Sequence, residues 1–268
     1  MILRVLFFFL VLLPYTVLLM PVQVAILLIR LPGWNVLPRG FFWLVCRILS
    51  IRVTVIGKPY DKAPTLLLSN HISWMDIPVL GSIAPMSFVS KSDVKRWPLV
   101  GPMAALQKTI FVDRKRRTDS GRTSDAMAAR LAKGDAVLLF AEGTSGMGTH
   151  VLPFRSALVG AAQAAIAASN SGGTVIQPVT IAYTHIHGLP VGRTDRSLIA
   201  WVGDMGPMDN LRHILASGTK SVTVMFGAPI MVRHDTDRKV VTRLAEMKVR
   251  AMLVALNRRR ELPAAHTG

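Results

Sequence analysis

The sequence predicts an α/β fold, a mixed sheet flanked by helices, with an apolar helical segment at the N-terminus that anchors the chain to a membrane. Strand-like runs alternate with helical stretches from Arg52 onward, which is the pattern of α/β layer structures. Residues 5–29 are nearly continuous in apolar side chains and carry no charge. The length of 268 residues suits one α/β domain plus such a segment.

The composition favours a membrane surface over nucleic acid as a partner. The chain is 51% hydrophobic, has a mean hydropathy of +0.40, and carries 32 Lys and Arg against 15 Asp and Glu, a formal net charge of +17. High basicity with low polarity fits an anionic lipid surface. No zinc-finger spacing or RNP-like motif supports nucleic-acid binding. The single Cys46 excludes an intrachain disulfide, and its apolar neighbours indicate a buried structural thiol.

The predicted anchor comprises residues 1–50, and residues 51–268 form the predicted α/β domain. About 20 apolar residues span a bilayer core, so the run at 5–29 is long enough for a transmembrane helix. Pro14 and Pro21 interrupt this run and favour a bent or re-entrant pair as the alternative. The stretch 41–51 mixes aromatic, aliphatic and arginine residues, which is typical of an interfacial helix.

Predicted strands and helices alternate along the rest of the chain. The predicted strands are residues 53–57, 65–69, 87–90, 109–112, 136–141, 175–183, 197–202 and 221–226. The predicted helices run from residue 76 to before 85, and over residues 98–106, 118–133 and 155–168. A C-terminal helix places one apolar stripe at helical spacing, formed by Val240, Leu244, Met247, Ala251 and Val254. Nearby arginines and lysines allow this helix to dock on anionic lipid, and the alternative is ordinary packing on the core.

A turn after the second predicted strand contains His71 and, five residues later, Asp76. Side chains five residues apart on a continuous α-helix point about 140° apart, so a contact requires His71 to lie in the turn. Pro78 supports a helix that begins near Asp76, because proline fits the first helical turn and not the interior. The aspartate would orient the imidazole so that Nε2 can take a proton from a hydroxyl. Alternatively, Asp76 caps the helix and His71 is a surface residue.

Three later strand regions carry polar or special residues that are typical of functional sites. They are Arg114 after the strand at 109–112, Glu142-Gly143-Thr144 after the strand at 136–141, and Pro178 inside the strand at 175–183. Each has a structural alternative. Arg114 could be a solvated charge, Glu142 a cap, and Pro178 the marker of an edge strand. Taken one at a time, these residues leave both interpretations open.

Together, in this order and spacing, the four stretches resemble the sequence blocks of the glycerolipid acyltransferase family, the PlsC-like lysophospholipid acyltransferases. The resemblance covers about residues 69–183, and the N-terminal apolar segment also fits it. It implies the glycerolipid acyltransferase-type fold and an acyl transfer from acyl-CoA or acyl-carrier protein to the hydroxyl of a lysolipid. Attack of a hydroxyl on a thioester needs a base and an oxyanion site, so neither a metal nor a resident cofactor is predicted.

The resemblance also implies roles for particular residues. His71 would be the base, Asp76 its orienting partner, and Arg114 a ligand of the acceptor head group. Glu142, Gly143 and Thr144 would shape the acceptor site, and Pro178 would belong to the block that helps to form the acyl pocket. The full set of predicted substrate-binding residues is Asn70, Ser73, Lys108, Arg114, Glu142, Gly143, Thr144, Arg155 and Pro178.

One departure from the family pattern concerns the acceptor. Many members that act on lysophosphatidic acid end the third block in arginine, and this chain has Ser145 there. Serine cannot form a bidentate ionic contact with phosphate, although Arg155 could supply the charge. We therefore keep two acceptors open: 1-acylglycerol-3-phosphate, the commonest in the family, and lyso-ornithine lipid, whose acyltransferases this block and residues 200–205 also resemble.

A non-catalytic membrane-surface lipid-binding protein is the alternative from another class. A protein that only binds lipid has no need of the His71 and Asp76 pair, so the pair favours the enzyme. The H-x-H pair His185 and His187 lacks a clear third metal ligand, so no metal site is predicted. The family resemblance predicts a bacterial inner-membrane location with the α/β domain on the cytoplasmic side.

Overall fold

A mixed β-sheet lies at the centre of the fold. The computed structural model describes residues 6–112, 119–157, 159–160, 174–203, 205–233, 236–258, 260–263 and 265–267. Within these ranges the strands are β1 Ile51–Ile56, β2 Thr65–Ser69, β3 Ser87–Lys91, β4 Ile110–Val112, β5 Val137–Phe140, β6 Thr174–Ile186, β7 Leu189–Pro190, β8 Lys220–Phe226 and β9 Ile230–Val232. Seven of them lie in the order β1-β8-β6-β2-β5-β3-β4, and β7 and β9 also pair with β6.

Strand β2 is a central strand of this sheet, and its C-terminal end leads to the His71 turn. It runs parallel to β5 and β6, and all five of its residues are buried, as in a central strand covered on both faces. Strand β3 runs parallel to β5 and β4, whereas β8 is antiparallel to β6. The C-terminal ends of β2, β5 and β3 therefore lie at the same edge, which we call the His71 edge.

Helices cover both faces of the sheet. Within the described ranges they are α1 Leu13–Leu28, α2 Val36–Ile48, α3 Asp76–Ile83, α4 Val100–Leu106, α5 Asp119–Leu131, α6 Pro207–Ala216 and α7 Arg238–Arg258. Alternate side chains of β2 point to opposite faces. Leu67 packs in the core with α2 and α3, whereas Leu66 and Leu68 pack in the core with α5 and α7. The predicted mixed sheet flanked by helices is therefore confirmed.

The N-terminal segment forms a hairpin of two antiparallel helices. The Tyr15 hydroxyl donates to the carbonyl of Leu37, and the Gln23 amide donates to that of Trp34, so α1 folds back along α2. A π-helical turn, Phe8–Leu12, precedes α1. Together they form the one described helical stretch that is long and apolar enough to cross a membrane, with 21 residues, a mean hydropathy of 2.2 and only 11% of it buried. The predicted apolar helical segment is present, and its helix α1 forms a pair with α2.

Helix α7 packs on the sheet through a different stripe from the predicted one. Its buried residues include Val241, Ala245, Val249 and Met252, which contact the core beside β6. The predicted stripe is turned outward, and Val240 and Met247 are exposed. The helix carries two adjacent apolar stripes at helical spacing, and spacing alone does not tell which of them faces the core. The helix therefore packs on the core through a different face from the predicted one, and docking of the predicted stripe on anionic lipid stays a prediction.

The predicted strand at 197–202 is wrong. This region begins with a 3₁₀ turn, Asp195–Leu198, and continues as a loop. The amide of Ala200 donates to the carbonyl of Arg196, so these backbone groups bond locally rather than along a neighbouring strand. Helix α6, β7 and β9 were not predicted. The predicted helix at 155–168 lies largely outside the described residues.

Candidate active site

His71 lies in the turn that joins β2 to α3, and Asp76 is the first residue of α3. The Nδ1 atom of His71 is 2.8 Å from Oδ2 of Asp76. Pro78 occupies the third position of α3, where its missing N–H removes no helical hydrogen bond. The predicted contact between the two side chains is therefore confirmed.

Asp76 is fully buried and accepts four hydrogen bonds. Its Oδ2 receives the backbone amides of Ile72 at 2.6 Å and Ser73 at 3.0 Å in addition to His71. Its Oδ1 receives the hydroxyl of Tyr183 at 2.9 Å. The capping interpretation of Asp76 is wrong, because its carboxylate accepts amides of the turn before the helix and no side chain caps the helix itself.

Tyr183 is the residue that sequence reasoning missed. It lies on β6 and is buried, and burial beside the Asp76 carboxylate raises the pKa of its phenol well above the ordinary value. The phenol therefore stays protonated and serves as a donor to Asp76. The available signal was a tyrosine inside a strand of apolar residues, since a buried tyrosine hydroxyl usually requires a partner.

The imidazole of His71 is held flat against an aromatic ring. It stacks on Phe140, the last residue of β5, with 4.0 Å between ring centroids and 16° between ring planes. Its side chain keeps 19% of its surface exposed. Because the carboxylate of Asp76 engages Nδ1, that nitrogen carries the proton of the neutral ring. Nε2 is then the nitrogen available to accept a proton from a bound hydroxyl.

Glu142 lies beneath the turn rather than at a helix end. Its Oε2 accepts the backbone amide of His71 at 2.8 Å, and its Oε1 accepts that of Leu152 at 2.7 Å. Burial raises the pKa of this carboxyl from 4.5 to about 7, although the two amide donors oppose the shift. Glu142 thus fixes the backbone position of His71 from the neighbouring strand.

Gly143 and Arg155 are in direct contact. Gly143 has a φ of +72°, and a side-chain carbon there would lie 2.7 Å from Nε of Arg155. The positive φ favours glycine at this position, and the Arg155 side chain occupies the space beside it. The Arg155 amide donates to the carbonyl of Ala141, which brings this arginine next to the end of β5. Thr144 is exposed beside them.

Asn70 and Ser73 lie inside the protein. The side-chain amide of Asn70 donates to the carbonyl of Ile181 and accepts its amide, both at 3.0 Å, which extends the β2–β6 pairing by one step. Ser73 is fully buried, and its hydroxyl accepts the amide of Met75 at 3.5 Å. Both residues hold the His71 turn against the sheet.

The structure does not bring Lys108 to this site, and its role as a substrate-binding residue stays a prediction. Its Nζ lies 4.1 Å from the ring centroid of Trp34 and 3.7 Å from Oδ2 of Asp135. Lys108 precedes β4 and Asp135 precedes β5, so they lie where these strands begin. His71 lies where the parallel strand β2 ends, at the other edge of the sheet.

Pro178 and Arg114 complete the predicted residues. Pro178 is buried in β6, between Ile176, where the pairing with β9 ends, and Val179, where the pairing with β8 begins. A missing N–H is tolerated at this change of partner, so the edge-strand interpretation of Pro178 does not hold. Arg114 and the three basic residues after it, Lys115, Arg116 and Arg117, lie outside the described residues.

The loop after the 3₁₀ turn at Asp195–Leu198 lies against the His71 turn. The backbone amide of Trp201 donates to the carbonyl of Ile72 at 3.0 Å, and the Ser145 hydroxyl donates to the carbonyl of Trp201. The Gly146 amide donates to the carbonyl of His71 at 2.8 Å. The segment that follows β5 and the loop at Trp201 therefore form the walls around His71.

A partly exposed imidazole that is oriented by a buried carboxylate can deprotonate a hydroxyl without a metal or a protein nucleophile. Such a pair at the end of a strand in an α/β sheet fits an enzyme that transfers a group to a substrate hydroxyl. The family model described as Acyltransferase matches residues 50–182 of this chain. The chain belongs to the acyltransferase family.

Relatives and a solved structure agree with this assignment. The chain is 45% identical to the lyso-ornithine lipid O-acyltransferase of Brucella abortus (strain 2308), over 87% of this chain and 88% of that protein. It is 30% identical to the 1-acyl-sn-glycerol-3-phosphate acyltransferase of Neisseria gonorrhoeae, over 74% and 73%. The crystal structure of PlsC from Thermotoga maritima, a 1-acyl-sn-glycerophosphate acyltransferase, matches the fold with a TM-score of 0.60 at 21% identity, over 83% and 79%. The chain is a lysolipid acyltransferase associated with membranes, and it uses a lysolipid acceptor and an acyl donor.

Proposed function

We propose that this enzyme acylates the free hydroxyl of lyso-ornithine lipid, with His71 as the general base. The observation that carries the choice of acceptor is the position of Ser145. Its hydroxyl is engaged by the carbonyl of Trp201 in the wall of the site. The position at which phosphate-binding members of the family have arginine therefore offers no charge here. A head group derived from ornithine carries no phosphate and has no need of that arginine.

The catalytic step follows from the geometry of the dyad. Nε2 of His71 takes the proton as the lipid hydroxyl attacks the thioester carbonyl, and the new ester bond forms as the carbon–sulfur bond breaks. The proton then passes from the imidazolium to the departing thiolate, so the enzyme returns to its starting state. Asp76 stabilises the transient imidazolium and holds the ring in one tautomer, with Tyr183 and two backbone amides fixing the carboxylate.

The second candidate acceptor is 1-acylglycerol-3-phosphate. Arg155 favours it, because its exposed side chain next to Gly143 could supply the charge that binds a phosphate. The name of the Neisseria gonorrhoeae relative also supports this acceptor. The names of four relatives support lyso-ornithine lipid, two of them above 40% identity, and they agree with the choice made from Ser145.

The donor, the location and the absence of a cofactor are part of the same proposal. Acyl-CoA and acyl-carrier protein both present a thioester, and the step above uses no metal or resident cofactor with either of them. The exposed apolar surface of α1 supports attachment to a membrane through the α1–α2 hairpin. We place the enzyme at the bacterial inner membrane with the sheet on the cytoplasmic side, where both thioester donors occur.

An acceptor panel tests the proposal. The full-length enzyme in vesicles is given lyso-ornithine lipid or 1-acylglycerol-3-phosphate, each with acyl-CoA and with acyl-carrier protein, and initial rates are measured. We expect kcat/KM for lyso-ornithine lipid to be higher by about tenfold or more, and no transfer by His71→Ala. A preference for the phosphate acceptor selects the second candidate. Failure to acylate either lipid contradicts the proposal.

The Ser145 position allows a sharper test of acceptor choice. Ser145→Arg places a guanidinium in the wall of the site, and we expect the ratio of the two kcat/KM values to move towards 1-acylglycerol-3-phosphate by about tenfold. Ser145→Ala is the matched control, because it removes the hydrogen bond to Trp201 without adding charge. The same shift in both variants would show that the hydrogen bond, and not the charge, sets the preference.

A further inference from the structure

Residues 97–100 form an exposed apolar tip at the start of α4. The side chain of Leu99 is 70% exposed and that of Val100 is 47% exposed. Leu99 also has a φ of +63°, a region that leucine rarely occupies. The exposed apolar side chain is poorly suited to water, and its backbone conformation adds a second, independent cost. Such an outlier supports a functional hypothesis for the segment.

Helix α4 joins this tip to the anchor. Val100 is the first residue of α4, and the carbonyl of its last residue, Leu106, accepts the Gln23 amide of α1 at 3.2 Å. The helix has seven residues and is therefore about 10 Å long. Val22 and Val24, on either side of Gln23, are exposed. The tip and the apolar surface of α1 thus lie at the two ends of one short helix.

Positively charged residues precede the tip in the chain. Lys91, Lys95 and Arg96 are exposed around the 3₁₀ turn Ser92–Arg96. Arg96 pairs with Asp93 at 2.8 Å, and Lys91 and Lys95 give the segment a net positive charge. Basic side chains next to exposed apolar ones match the interface of an anionic bilayer, where the charges meet head groups and the apolar groups meet acyl chains.

The tip is also connected to the wall of the active site. The ring of Trp97 lies 6.4 Å from that of Trp201, and the amide of Trp201 donates to the carbonyl of Ile72 in the His71 turn. Strand β3 ends at the His71 edge and leads directly into the tip. A surface that binds at the tip would therefore lie beside the opening to His71.

We propose that residues 97–100 insert into the lipid surface as a second membrane contact, separate from the α1–α2 hairpin. With both contacts in place, the His71 edge faces the bilayer, and a lysolipid reaches the base without leaving the membrane. The second contact rests on the exposed tip and its charges, whereas its benefit to catalysis rests on the proposed function. The two parts are separated by measuring insertion and turnover independently.

Site-specific labelling measures insertion. Cys46 is buried, and burial raises the pKa of its thiol to about 12, so a cysteine introduced at position 99 reacts selectively with a polarity-sensitive fluorophore. The labelled full-length Leu99→Cys protein is reconstituted in anionic vesicles with quenchers attached to the lipid acyl chains. The control is Met231→Cys, which is 59% exposed on β9, at the edge away from His71. We expect a blue shift and quenching at position 99 and neither at 231. Equal, water-like spectra at both positions overturn the proposal.

A charge substitution measures the consequence for turnover. Leu99→Asp should fold, because aspartate adopts positive φ more readily than leucine and the site is exposed. We expect its turnover of vesicle-embedded lysolipid to fall about tenfold, with wild-type turnover of the same lysolipid in detergent micelles. Met231→Asp should change neither rate. If Leu99→Asp loses activity only with acyl-carrier protein as donor, on vesicles and in micelles alike, the tip binds that protein and the membrane proposal is wrong.

Discussion

At the His71 edge, polar groups are buried and almost every one of them has a partner inside the protein. Asp76, Glu142 and Asn70 bond to backbone amides or carbonyls of the turn and of neighbouring strands. The α1–α2 hairpin is built in the opposite way, since it exposes leucine, phenylalanine and valine side chains and holds few polar contacts. The enzyme therefore fixes its reactive atoms by internal hydrogen bonds, and it attaches to the membrane through exposed apolar surface.

Changes to the dyad should have the largest effect in the molecule. We expect His71→Ala to abolish transfer while the fold survives, because Glu142 and Asp76 hold the backbone of the turn without the imidazole. Asp76→Asn should lower kcat by a factor on the order of 10³–10⁴, since the amide no longer selects the required tautomer. Single-turnover rates at saturating substrate measure the effects of both substitutions. Activity near wild type in His71→Ala, with an unchanged melting temperature, would remove His71 from the role of base.

Tyr183→Phe should have the next largest effect on the buried region. The change removes one hydroxyl and leaves Oδ1 of Asp76 without its donor, which costs about 1–3 kcal/mol of stability. We expect kcat to fall about tenfold with little change in KM, and the pH–rate profile to shift, because the carboxylate that orients His71 is less firmly held. A purely structural tyrosine would lower the melting temperature and leave the pH–rate profile where it was.

Ionisation of Glu142 should make stability depend on pH. The fold raises the pKa of this carboxyl from 4.5 to about 7, so between these values the folded protein binds more protons than the unfolded chain. Stability therefore falls as pH rises from about 4.5 to 7, by about 3 kcal/mol at most. Chemical denaturation across this range should show that slope in wild type and not in Glu142→Gln. An equal slope in both proteins would assign it to another group.

A local signal made the dyad predictable, and distance along the chain made its surroundings unpredictable. The five-residue spacing and Pro78 were sufficient to predict the contact between His71 and Asp76. Tyr183 lies 107 residues from Asp76 and meets it only because β6 pairs with β2. Lys108 shows the converse. It is close in sequence to Arg114, but that closeness gave no information about which edge of the sheet it occupies.

Periodicity was similarly informative for some elements and not for others. The predicted strand at 65–69 and the helix beginning at Asp76 match β2 and α3. The apolar run at 197–202 was taken for a strand, yet Trp201 donates its amide to Ile72 in the His71 turn. A run of apolar residues signals burial, and it does not distinguish a strand from a loop that lines a site.

Arg155→Ala should have a moderate effect that is confined to the acceptor. If this exposed arginine contacts the head group, its removal raises the acceptor KM by about tenfold and leaves the donor KM unchanged, as the loss of one charged hydrogen bond would. Arg243→Ala is the matched control, because it removes another exposed arginine, on α7, that has no predicted role in substrate binding. Equal increases in both KM values would show that Arg155 supports the fold of the Gly143 turn.

The smallest effect should come from the one buried amide in the hairpin. Gln23→Met removes two donated hydrogen bonds, to the carbonyls of Trp34 and Leu106, and also removes a buried Oε1 that has no partner. The two changes oppose each other, so we expect stability in detergent to change by about 1 kcal/mol or less. Turnover and retention on vesicles should stay at wild-type levels, because apolar area holds this region. A large loss of either would show that the hairpin, like the His71 edge, depends on individual hydrogen bonds.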